Sequence, residues 1–195
     1  MRISDDRYDR DRRKYNLAMW MIQHEARTLT IMQWTGLTRY RIQTLFRAYE
    51  RPVSSKRHRG ASPFQPAYFG KSLILECESA ALAYIALQTQ TIPDVVVPYA
   101  LRSLPSLARG ERLLTAFEVY RALVPDSSIS LEHAVLLVTE LAQRRTLALR
   151  HCELCEGLMV VDVLGARQAL CPFCRLGRGV ANSPRSTPVT SSNLV

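Results

Sequence analysis

The chain has 195 residues, 47% hydrophobic and 22% charged, with a formal net charge of +9. That is enough to bury a core in one or two domains, and no apolar run is long enough to span a membrane. The opening Met1–Lys14 is saturated with charge, which excludes the apolar stretch of a signal peptide and points to a cytosolic chain with reduced thiols.

The distribution of charge carries more information than its sum. Residues 1–60 hold fourteen Lys/Arg against six Asp/Glu, residues 61–150 eight against eight, and residues 151–195 four against three. A basic first third beside a neutral middle points to a localised polyanion-binding surface.

Residues 1–14 alternate acid and base and read as a solvated lead-in. From Tyr15, the apolar recurrence Leu17, Trp20, Met21 and His24 predicts an amphipathic helix, and residues 27–34 a second one. Thr35-Gly36-Leu37-Thr38 follows. Gly36 allows the positive φ of a tight turn, and Thr38 is a good N-cap. The next helix, Arg39 to Tyr49, carries Ile42, Leu45, Phe46 and Tyr49 on one face. Arg39, Tyr40, Arg41, Gln43, Thr44 and Arg47 are polar or basic and lie mostly away from it. Helix, glycine turn, and helix with a polar-basic outer face form a helix-turn-helix pattern, so residues 1–50 are assigned as a helical region containing that motif.

Residues 51–66 read as a basic linker. Prolines, serines and Gly60 mark a loop, and Lys56, Arg57 and Arg59 suit phosphate contacts. Residues 67–148 read as a helical body. Helices are expected over 67–89, over 94–108 with an interruption at Pro98 or Pro105, over 111–123 and over 130–145. Leu73, Leu82, Ile85, Phe117, Tyr120, Leu136, Leu137 and Leu141 are its candidate core. Ser130 should cap the last helix, with Glu132 near its positive end. Cys77 reads as a buried, small apolar side chain on a helix.

Residues 149–176 form a different segment. Cys152, Cys155, Cys171 and Cys174 make two Cys-x-x-Cys pairs. Each pair can turn two thiolates toward one cation, and four thiolates in a tetrahedron are what structural zinc takes. Residues 146–150, 157–163 and 166–170 read as short extended pieces with a turn at Gly165, giving a small zinc-ribbon-like lobe. So small a lobe needs metal to fold. One structural Zn2+ per chain is expected, with His151 a bystander and Arg150, Arg167 or Arg175 available for an outward contact. Residues 177–195 are rich in Ser, Thr, Pro and Gly and read as a disordered tail.

A tetrathiolate leaves no open position on the metal, and no catalytic carboxylate pair, Ser/His/Asp set or phosphate-cradling glycine loop is recognisable. An enzyme is therefore not expected. The competing reading is a zinc-stabilised protein-interaction module that does not read DNA.

Three blocks, in order, resemble the flagellar transcriptional activator FlhC family. The first is Thr35-Gly36-Leu37-Thr38-Arg39-Tyr40-Arg41-Ile42-Gln43-Thr44-Leu45-Phe46-Arg47. The second is Gly60-Ala61-Ser62-Pro63-Phe64 with Tyr68-Phe69, and the third is the paired Cys-x-x-Cys. Thr38 and Phe46 stand where the family carries serine and tyrosine. The resemblance implies a mainly α-helical subunit with a four-cysteine zinc site, assembled with an FlhD-like subunit into a hetero-oligomer. It implies binding to double-stranded promoter DNA of flagellar genes and recruitment of RNA polymerase.

Overall fold

The computed structural model describes residues 2–49, 64–92, 105–165 and 169–181. Among these, seven α-helices, one 3-10 helix and one two-stranded sheet make a mainly helical protein. None of its helices is long and apolar enough to cross a membrane.

Helix α1 runs from Arg2 to Gln23, so the charged lead-in and the amphipathic stretch are one helix. Its second half buries Leu17, Ala18, Met21 and Ile22, while Arg7, Tyr8, Asp9 and Arg10 are exposed. After a turn through Glu25 (φ 60°) comes α2, Thr28–Thr35. Arg27, at its N-cap, has no capping side chain. The Glu132 carboxylate accepts the Arg27 N–H at 2.8 Å instead, so a distant helix serves the start of α2.

Gly36 closes α2 in the left-handed region, with φ 69° and its N–H on the Met32 carbonyl. The left-handed region costs an L side chain roughly 1–2 kcal/mol, which is why glycine suits this turn. Helix α3, Arg39–Ala48, starts at Thr38, whose hydroxyl accepts the Arg41 N–H at 3.4 Å. Ile42 is fully buried, and Leu45, Phe46 and Tyr49 pack against the same core. Truncating Ile42 to alanine should cost about 2–5 kcal/mol by the usual range for buried isoleucine.

The helix expected over 67–89 is two elements. A 3-10 helix covers Pro66–Gly70, and α4 covers Leu73–Gln88. The break lies at Ser72, whose hydroxyl takes the Leu75 N–H at 3.2 Å and so starts a new helix. Leu73 is correspondingly not core. It sits in the exposed first turn of α4, 39% accessible, beside the more exposed Ile74.

Helix α5 spans Leu107–Leu123, four residues longer at its start than the sequence pattern suggests, with Ser106 as its N-cap. The rest of the helix expected over 94–108 lies mostly outside the described residues. Gly110 sits inside α5 where α1 and α2 press closest. A Cβ there would lie 2.7 Å from Leu17 Cδ2 and 3.2 Å from Trp34 Cε3. Helix α6, Leu131–Gln143, opens on Ser130 in a capping box with His133 and closes at Arg144 in the left-handed region. Of the other core candidates, Leu82, Phe117, Tyr120, Leu137 and Leu141 are buried, and Ile85 and Leu136 are partly so.

Strands β1 (Leu147–His151) and β2 (Leu158–Asp162) pair antiparallel, from Leu147 opposite Asp162 to His151 opposite Leu158. The alternation of a strand divides their apolar side chains between two cores. Leu147, Leu149 and Val160 join the helical core, whereas Ala148, Met159 and Val161 close over the cysteines. Helix α7, Pro172–Ala181, follows and runs into the segment expected to be an unstructured tail.

Candidate metal centre and nucleic-acid interface

The candidate metal centre is built from two local structures. Cys152 ends the β1 side of the hairpin, and Glu156 (φ 58°) bends the chain back. Cys152 N–H donates to the Gly157 carbonyl and Glu156 N–H to the Cys152 carbonyl, both at 2.9 Å. This tight loop turns Cys152 and Cys155 inward. The second pair is not on a strand as a ribbon would have it. Residues 169 and 170 are not strand, Cys171 immediately precedes α7, and Cys174 lies in the first turn of that helix. Pro172 fits the first helical position, where its missing N–H costs nothing. The remaining part of the expected third extended piece, 166–168 with Arg167, lies outside the described residues.

The four Sγ atoms all lie within 4.8 Å of one another. Cys155 and Cys171 sulfurs are 3.6 Å apart. A tetrahedral metal with bonds of about 2.3 Å to sulfur requires about 3.8 Å between sulfurs, so the cluster is sized for a single ion. Cys152, Cys155, Cys171 and Cys174 can therefore hold one metal ion. Cys152 and Cys171 are buried, Cys174 is half-buried and Cys155 is exposed.

The electrostatics agree with that use. The Cys171 backbone N–H donates to Cys152 Sγ at 3.3 Å and draws its thiol down to about 6. Cys174 is pushed up to about 12 by its hydrogen bonds with the sulfurs of Cys155 and Cys171. Sulfurs this close cannot all ionise with protons as their only cations, and a bound cation would displace the protons that separate them.

Two neighbours of the centre are settled by their contacts. His151 is exposed, and its Nδ1 donates to the Glu156 carbonyl at 2.9 Å, so it braces the loop. Arg175 pairs with Glu76 of α4, which turns it toward the helical body and not outward as expected. Arg150 remains exposed. Cys77 is half-buried on α4, short of the full burial expected of it, and burial pushes its thiol up.

The polar-basic face of α3 is also displayed. Arg39, Tyr40, Arg41, Thr44 and Arg47 are exposed, with Tyr40 at 74%, and Gln43 is half-buried. Thr44 Oγ1 donates to the Tyr40 carbonyl at 3.1 Å. No acidic residue occupies the first turn of α3, so its positive end is not neutralised there. Arg41 lies over the Tyr15 ring of α1, 5.9 Å from its centroid. The sequence reading missed Tyr15, because nothing local connects two residues separated by α2 and two turns. Lys56, Arg57 and Arg59 lie outside the described residues.

A third cluster was not legible either. His133 is only 6% accessible, stacked between Phe64 and Tyr68 at centroid distances of 3.6 and 4.1 Å. Its Nδ1 accepts from the Ser130 N–H at 3.2 Å, which leaves Nε2 to carry the proton. Burial holds this imidazole down at about 4. The Phe64, Tyr68 and Phe69 block thus clasps α6.

Compared with known protein families and with curated proteins, the chain matches neither.

Proposed function

We propose that the protein is a sequence-specific, double-stranded DNA-binding transcriptional activator of the FlhC type, acting on flagellar genes in the cytoplasm. On this reading it assembles with an FlhD-like subunit and recruits RNA polymerase. Its four cysteines hold one structural Zn2+, which is redox-inert and accepts a closed tetrathiolate. The observation that carries the reading is the α2–Gly36–α3 unit. A capped second helix, anchored by Ile42, holds Tyr40, Thr44 and Arg47 outward, with Arg39 and Arg41 beside them. Arginine suits guanine edges, and a threonine methyl suits the thymine methyl. The excess of basic residues in the first sixty supplies the salt-dependent part of the affinity.

The test is the Arg39→Ala, Arg47→Ala double variant of the full chain, purified with and without a co-expressed FlhD-like subunit. Duplex binding should fall at least about tenfold at moderate salt, on the usual value of one good base contact, with the helical circular dichroism signal unchanged. Undiminished affinity would refute the role of α3. A protein indifferent to the partner would remove the FlhC-type assembly.

A second reading has its own support. Leu154, Leu164, Phe173 and Leu176 are exposed apolar side chains on the cysteine lobe. They favour a zinc-stabilised protein-interaction module. Such a module would show no salt-dependent affinity for DNA.

A further inference from the structure

We infer that, on the duplex-DNA reading of α3, Arg41 is a backbone phosphate contact held in place by Tyr15, while Tyr40, Thr44 and Arg47 carry the sequence reading. At 100° per residue, Ile42 marks the buried pole of α3, and Tyr40, Thr44 and Arg47 cluster on the opposite side. Arg41 stands about a quarter turn from the pole, on the flank that faces α1. It is the exposed α3 cation fixed over an aromatic ring, with its guanidinium 5.9 Å from the Tyr15 centroid.

Two features make that arrangement suit a phosphate. Tyr15 is half-buried and packs against the helical core, so the ring under Arg41 is itself held. A guanidinium held over a ring by its charge does not spend its N–H donors on that contact, and a phosphate can take two hydrogen bonds from it. Arg41 also lies in the first turn of α3, beside Thr38 and the positive end of the helix, where a phosphate oxygen is favoured. A contact to backbone oxygens positions the protein without distinguishing bases. Tyr15 is then a positioning residue, because it acts through Arg41.

The experiment uses the full-length, zinc-loaded chain and a random duplex pool of about 30 base pairs, roughly three helical turns. Affinity is measured against potassium chloride concentration, and bound duplexes are sequenced. Arg41→Ala should bind about three- to tenfold more weakly, lower the salt slope by about one, and select the same sequence as the wild type. Tyr15→Leu should lose about two- to fivefold, the usual value of an exposed cation–π contact, and Tyr15→Phe should restore wild-type binding. Arg47→Ala should broaden the selected sequence. A wild-type salt slope in Arg41→Ala, or a changed selected sequence, overturns the assignment. So does Tyr15→Leu that folds and binds like the wild type. If Tyr15→Leu fails to fold, Arg41→Ala and Tyr15→Phe decide it alone. Should Arg39→Ala, Arg47→Ala bind like the wild type, the recognition role of α3 falls, and wild-type protein without salt-dependent duplex affinity would remove the DNA reading itself; both outcomes are distinct from failure at Arg41.

Discussion

Acidification should weaken this fold through His133, and the size of the effect follows from its surroundings. The imidazole titrates near its ordinary 6.5 in the unfolded chain and at about 4 in the folded protein, where burial opposes its charge. At pH 7 the folded imidazole is neutral and the unfolded one mostly so, and the residue contributes little pH dependence. Between 6.5 and 4 the unfolded state binds a proton that the folded state refuses, so stability falls with pH across that window. The loss is about 2 kcal/mol near pH 5 and at most about 3 kcal/mol below pH 4, at 1.36 kcal/mol per pH unit. Stacking on Phe64 and Tyr68 works the other way, since two aromatic faces favour a cation, so these are upper values. Urea unfolding of wild type and His133→Gln at a series of pH values isolates the effect. Acid release of metal from the cysteines is common to both proteins and cancels in the difference. Wild type should lose its advantage over His133→Gln as the pH falls from 7 to 5. A difference that stays flat across this range would refute the reasoning.

Two further outcomes follow from the packing. Cys171→Ser should lose the bound metal, and because β1 and β2 face both cores, thermal unfolding of the helical body should drop with it in one transition. A helical melting curve unmoved by the loss of metal would show the lobe to be independent. Gly36→Ala should destabilise by about 1–2 kcal/mol from its positive φ alone, since nothing lies within 4 Å of the added Cβ; urea denaturation measures it, and a neutral result would remove the strain.

The parts of the fold that were legible in the sequence are those whose causes are local. Thr38 and Ser130 cap the helices that follow them, and Gly36 takes the left-handed turn, because each depends on neighbours within a few residues. The hairpin strands match short extended pieces legible in the sequence, and the cysteine spacing identifies the four candidate metal ligands as a group. Apart from the break at Ser72, which is a local cap, the misread elements have distant causes. The sequence pattern starts α5 at 111, one residue after Gly110. The helix continues through it, and Leu17 and Trp34 occupy the space a side chain would need. The second cysteine pair sits at the start of a helix because Cys171 and Arg175 are fixed by partners on the hairpin and on α4. The contacts of Tyr15, Glu132 and His133 are not legible for the same reason. Their partners, Arg41, Arg27 and Phe64, come from remote parts of the chain.

Glu132 and His133 are adjacent in the first turn of α6, yet they serve different segments. The carboxylate holds the start of α2, and the imidazole holds the 64–69 stretch. A displacement of that one turn moves both attachments together. Substitutions at Phe64 and at Glu132 should therefore fail to add in a double-mutant cycle, by roughly 0.5 kcal/mol or more, although one changes an aromatic stack and the other a backbone acceptor. The entry to α2 and the return of the chain at Phe64 are thermodynamically one joint.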